Sequence, residues 1–216
     1  NIFLETRELS VSLSEKEVQT KTIKITNPTE FDVIVSIIPQ NLEKYITPLT
    51  GLITLKPKES KNIDLKISYD KPGIYTGNLL IKIGDIEKVV QVIIEVKSKS
   101  TTFDVSLADT ELKDNILKTK VTITNVANII SDVVKVVYYI KDLDGNELLR
   151  EEEDVLIENK RYFTKEFKLP ELKEGKYIFG TEVSYKNSFA TKADTFEVIK
   201  EKKAYSPWFL SSFVPY

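Results

Sequence analysis

Apolar and polar residues alternate with a period of two along most of this 216-residue chain, the pattern of strands that bury one face and wet the other. Lys21–Thr26 places Ile23 and Ile25 on one side and polar neighbours on the other, and Lys61–Ser68 does the same with Ile63, Leu65 and Ile67. Convincing helical periodicity is absent. The alternation predicts strands near 3–13, 17–26, 31–39, 51–55, 60–69, 74–83 and 87–97, and again near 103–112, 116–127, 132–142, 146–157, 161–169, 176–186 and 189–199. Gly84-Asp85, Asp142–Asn146 and Tyr185–Phe189 read as hairpin turns. Pro28, Pro39, Pro48, Pro57 and Pro72 fall at predicted turns or strand ends, where a missing N–H is tolerated.

The two halves repeat one another. Thr22-Ile23-Lys24-Ile25-Thr26-Asn27 returns as Lys120-Val121-Thr122-Ile123-Thr124-Asn125, and Pro72-Gly73-Ile74-Tyr75 returns as Glu174-Gly175-Lys176-Tyr177. Thr54–Ser60 lies opposite Leu156–Tyr162. The spacing is close to the roughly 100 residues of one immunoglobulin-like sandwich. The chain is therefore expected to be all-β, as two tandem immunoglobulin-like antiparallel β-sandwiches, with residues 1–98 forming the first, 99–203 the second and 204–216 an aromatic C-terminal tail. Lys97–Thr102 is polar and small, a short linker predicting a restricted, elongated arrangement. The Cys-Trp-Cys core of antibody domains is missing, so aliphatic, Tyr and Phe side chains must fill both cores.

The run of an apolar strand ending in Thr26-Asn27, then Leu55-Lys56-Pro57-Lys58-Glu59-Ser60, then Pro72-Gly73-Ile74-Tyr75-Thr76-Gly77 resembles prokaryotic immunoglobulin-like modules of the major-sperm-protein-like and galactosidase-associated kinds. The second half, with Thr124-Asn125, the Asp-Gly hairpin and Gly175-Lys176-Tyr177, resembles the related CARDB-type adhesion modules. The resemblance implies a spacer, adhesion or assembly role outside the cell. Its motifs mark turns and strand edges and transfer no catalytic residues.

Composition narrows the function classes. Thirty-one basic and 33 acidic residues are interspersed, giving a net charge of −2, unlike the clustered basic footprint of a nucleic-acid binder. Glu151-Glu152-Glu153-Asp154 and Lys200-Glu201-Lys202-Lys203 read as solvated surface. There is no Cys, Met or His, which removes disulfides, thiolate chemistry and the usual general base. Abundant Lys, Glu and Ile without sulfur residues point to a thermophilic source, with an AT-rich genome as the alternative, and the resemblance to cell-surface modules implies an archaeal one. The chain opens on Asn1, as a processed or trimmed product would, and no run reaches the ~18 apolar residues of a membrane span.

No paired carboxylates or glycine-rich phosphate loops stand out, so no enzyme, cofactor or metal is expected. Asp142-Leu143-Asp144-Gly145-Asn146-Glu147 has alternating oxygen ligands but the wrong glycine position for a calcium loop, and reads as a hairpin tip, with a weak surface cation site as the alternative. Asn27 and Asn125 read as turn residues that bond local backbone. Tyr75, Tyr138, Tyr139, Tyr177 and Tyr185 read as core or rim packing, with a carbohydrate-stacking face as the alternative.

The tail is the candidate partner-binding or anchor segment, through Trp208, Phe209, Leu210, Phe213, Val214 and Tyr216. Such a patch is rarely left bare. Three readings stand: a covering segment on its own domain, the interfacial edge of a membrane anchor, or a strand docked on another subunit. Pro207 and Pro215 confine any strand to the stretch between them. The function expected is that of a non-enzymatic extracellular or cell-surface structural protein, acting on other proteins or on copies of itself and not on nucleic acid. The alternatives are an accessory subunit of a membrane complex held by the tail and a polysaccharide-binding module.

Overall fold

In the computed structural model, residues 2–199 are described, and every regular element among them is a strand. The first half contains β1 (Phe3–Leu4), β2 (Glu8–Ser14), β3 (Val18–Thr26), β4 (Val33–Gln40), β5 (Ile46–Pro48), β6 (Leu52–Leu55), β7 (Ser60–Ser68), β8 (Gly73–Ile83) and β9 (Ile86–Lys97). The second contains β10 (Phe103–Lys113), β11 (Ile116–Asn125), β12 (Asp132–Asp142), β13 (Glu147–Ile157), β14 (Lys160–Lys168), β15 (Gly175–Tyr185) and β16 (Ser188–Val198). The chain is all-β, two immunoglobulin-like sandwiches in tandem. The first stacks a sheet of order β1-β3-β7-β5 on one of order β2-β9-β8-β4-β6, and the second stacks β10-β11-β14 on β13-β12-β15-β16.

The inward positions follow the predicted alternation. Ile23, Ile25, Leu55, Leu65, Ile67, Leu79, Ile81 and Ile94 fill the first core. The second is more aromatic, with Tyr138, Phe167 and Phe179 packed at centroid distances of 5.3–6.3 Å. The two cores share no residue.

Two repeated sequence motifs prove to be repeated staples. Asn27 is fully buried at the end of β3, and its amide donates to the carbonyls of Phe31, Leu55 and Lys56 at 2.7, 3.2 and 2.9 Å. Asn125, at the end of β11, donates likewise to Ile129 and Glu158 at 2.8 and 3.0 Å. Both side chains tie neighbouring chain segments to one strand end. The second staple is a tyrosine corner. Tyr75 donates its hydroxyl to the Lys71 carbonyl at 3.0 Å, and Tyr177 donates to that of Lys173 at 2.9 Å. Gly73 and Gly175 stand two residues before, at φ of 149° and 148°, where an L side chain would be strained.

The structure departs from expectation in three places. The predicted strand 3–13 breaks into β1, which pairs antiparallel with β3, and β2, which crosses to the opposite sheet and runs parallel to β9. The fold is therefore not purely antiparallel. The short β5 was not legible, since Ile46-Thr47-Pro48 is too brief to show a period. The sandwiches also do not extend end to end. The linker is pinned at both ends, by the Ser98 amide donating to the Phe189 carbonyl and the Thr102 amide donating to the Ser188 hydroxyl. From there β9 and β16 lie alongside each other.

Candidate interaction surfaces

Strands β8, β9, β12 and β15 carry apolar residues on both faces. Val89–Val96 and Val133–Ile140 read as near-continuous apolar runs broken by single polar residues, the signature of strands covered on both sides. Their inward residues serve the two cores. Their outward residues meet each other: Ile74 and Ile93 of the first sandwich pack with Val137, Tyr139 and Ile178 of the second. Tyr139 lies over Gly180, its cross-strand partner, and gives its hydroxyl to Glu182 at 2.9 Å.

Charges rim this contact. Glu95, only 7 % exposed, receives the Lys192 ammonium at 3.1 Å and the Ala193 amide at 3.3 Å. Glu8 pairs with Lys176. The predicted hairpin tip is a docking element as well, because Gly145 comes against Thr76 of β8. Inside that hairpin the Asp142 carboxylate accepts from the Asn146 amide and side chain, both at 2.8 Å. Among the described residues no group of three or more acidic side chains is arranged to hold a metal ion.

Burial holds the Glu182 carboxyl above its ordinary value, against the lowering influence of Tyr139, Lys141 and Arg150. The folded state thus favours the protonated form. That contribution is full below the unfolded value near 4.5 and is lost as pH rises through the raised folded value. Glu182→Gln keeps an acceptor for Tyr139 without the charge. The variant should be more stable than the parent at pH 8, with the difference closing as pH falls towards 4, measured by urea unfolding at each pH. A constant difference across this range would contradict the assignment.

The same outer face of the β2-β9-β8-β4-β6 sheet continues past the second sandwich. There Ile38, Leu80 and Val89 align across three strands, with Leu52 and Ile34 beside them. Ile38, Val89 and Leu52 are 42 %, 43 % and 66 % exposed. The charges on this stretch, Lys82 and Glu87, pair with each other at 3.1 Å. At its border lies a cleft of about 490 Å³ lined by Phe3, Leu4, Arg7, Glu8, Val89 and Lys176, among others.

Strand edges are treated unequally. On β16 the outward Phe189 carbonyl takes the Ser98 amide, and the Ala193 and Thr195 amides donate to Glu95 and Asp194. On β2 the Ser12 carbonyl is capped by Gln19 and the Ser14 amide by Glu17. Edge strand β13 carries charge instead, a common guard against pairing. Its acidic run is not simply solvated surface: Glu153 accepts from the buried Tyr138 at 2.7 Å and pairs with Lys165 at 3.4 Å.

Of the tyrosines weighed for stacking, Tyr138, Tyr139 and Tyr177 are buried, while Tyr75 packs with Tyr45 and Tyr69 at 4.6 and 4.9 Å. Tyr185 donates to Asp132 and packs on Phe103. The predicted anchor residues Trp208, Phe209, Leu210, Phe213, Val214 and Tyr216 lie outside the described residues.

No protein-family model and no curated protein sequence matches this chain. Solved structures do. A protein of unknown function from Porphyromonas gingivalis W83 is similar over 91 % of this chain and 99 % of its own, at 11 % identity and a TM-score of 0.50. The Escherichia coli chaperone DraB aligns over 92 % of this chain and 96 % of its own, at 12 % identity and a TM-score of 0.39. The CsuC-CsuE chaperone–tip adhesion subunit complex of Acinetobacter baumannii matches over 76 % of this chain and 89 % of the other, at 11 % identity and a TM-score of 0.37. At 11 % identity the likeness to the Porphyromonas gingivalis protein is one of fold alone.

Proposed function

We propose that this chain is a non-enzymatic structural protein of the cell surface that works by protein–protein contact, with copies of itself as the partner. The observation that supports this is the free end of the β2-β9-β8-β4-β6 face. Nearly a third of the chain is charged, yet among the described residues this stretch leaves Ile34, Ile38, Leu52 and Val89 uncovered, with its charges Lys82 and Glu87 already paired to each other. A face without net charge can meet its own copy about a two-fold axis without repulsion, as isologous interfaces require. The covered end of the same face already performs one such apolar contact, with the second sandwich. The pinned linker and the Glu95–Lys192 pair hold the two sandwiches as one unit, which suits a spacer that must hold what it positions.

The test is light-scattering mass over a concentration series. The intact chain should associate as concentration rises, and the double variant Ile38→Lys, Leu52→Lys should stay monomeric with an unchanged unfolding midpoint. An intact chain that is monomeric throughout, or a variant that associates equally, would overturn this reading.

A further inference from the structure

The edge of β9 is half covered. Residues 91–97 pair with β2, and the ladder stops where the Gln91 amide donates to the Arg7 carbonyl at 2.9 Å. Beyond that point the N-terminal residues have crossed to the other sheet, with Phe3 and Leu4 paired to β3. Backbone groups along a strand point alternately to either side, so Glu87 and Val89 direct theirs to the same side as Gln91, where no strand lies among the described residues. This open edge looks into the 490 Å³ cleft, whose walls include Phe3, Leu4 and Val89. An uncovered strand edge is a template for one more strand.

The chain itself supplies a segment of matching chemistry. The last described residues run beside the cleft: Glu197 of β16 pairs in register with Lys176, which lines it. From Lys200 to Pro207 there are eight residues, enough to reach about 26 Å when extended. The next seven, Trp208-Phe209-Leu210-Ser211-Ser212-Phe213-Val214, carry no charge, contain no Pro or Gly, and are bounded by Pro207 and Pro215. Entering from the Lys176 end, they would run antiparallel to β9. Arg7, Lys88 and Lys176 around the cleft favour aromatic rings beside them.

We infer that the tail seats in the cleft of its own first sandwich, with Trp208–Val214 adding as a strand to the open edge of β9. The seat borders the copy-to-copy contact proposed above and shares Val89 with it, but its test, made on monomers, does not depend on that contact. It restores the ladder along β9 and covers apolar side chains that would otherwise be bare.

Trp208 is the only tryptophan in the chain, so its fluorescence reports the seat directly. The measurement is emission and iodide quenching of the full chain, at a dilution where light scattering finds monomers. Emission should be blue-shifted and shielded from iodide. The Val89→Glu variant should lose that shielding to the level of free tryptophan amide, while keeping the parent's circular dichroism. Phe3→Glu should do the same from the opposite wall, and Ile34→Glu, distant from the cleft, should not. Fully quenchable Trp208 in the parent would overturn the inference. Shielding that appears only on raising the concentration assigns the tail to another copy, and shielding that appears only with anionic phospholipid vesicles assigns it to a membrane. Either result would also overturn it.

Discussion

Gly180→Ala should be among the most damaging single substitutions in this protein, costing about 3 kcal/mol by the scale of overpacked cores. A Cβ at this position would stand 2.3 Å from Tyr139 Cε2 and 2.6 Å from Cζ, far inside van der Waals contact. The ring has nowhere to go. It is 1 % exposed, packed with Ile74, Ile93, Val137 and Ile178, and tied by its hydroxyl to Glu182. Relief requires the ring to leave the contact between the sandwiches, which loosens them from each other. Thermal unfolding should show a midpoint lower by roughly 10 °C, and amide exchange should speed up along β9 and β16. Gly51→Ala, where nothing lies within 4 Å, is the control and should be nearly silent. If both alanines are equally tolerated, the interface is looser than described.

Asn27→Ala should cost a comparable amount, about 3 kcal/mol, and by a different mechanism. The side chain makes five polar contacts: its two N–H groups are shared among three carbonyls, and its oxygen accepts from the amide and hydroxyl of Thr29 at 3.0 and 2.7 Å. Alanine leaves those carbonyls buried without a donor, and each unmade buried bond costs about 1–3 kcal/mol before relaxation. Because the staple joins the β3 end to the loops at Phe31 and Leu55–Lys56, the loss falls on the first sandwich. Asn125→Ala, with fewer bonds broken, should cost less and act on the second. Urea unfolding of both variants tests the order, and Asn125→Ala proving the costlier change would refute it.

These two residues also mark how far the sequence could be read. Asn27 and Asn125 were visible as a repeat, and their turn role followed from the chemistry of asparagine. Their reach to strand ends some 30 residues away, Leu55–Lys56 and Glu158, was not, because a side-chain amide shows no preference in sequence for which carbonyl it meets. The tyrosine corner behaved the same way: Pro-Gly-x-Tyr and Glu-Gly-x-Tyr announced themselves, and the hydroxyl's partner did not. Gly180 gave no sign at all, since a lone glycine in a strand looks like weakness until the ring above it is seen.

Most strands, most inward faces and the division into two repeated sandwiches were determined by the sequence, because a period of two states which side of a strand is buried. What covers that side is a different question. The double-faced apolar runs of β9 and β12 signalled a second burial surface, but Ile93 could as readily have met a partner as Tyr139. Only the tertiary structure decided that the sandwiches fold back on each other, that β2 crosses to pair parallel with β9, and that β2 leaves β9 at Gln91, so that among the described residues no strand covers the rest of that edge. Local periodicity records the need for burial. The contact that meets the need depends on geometry summed over the whole chain.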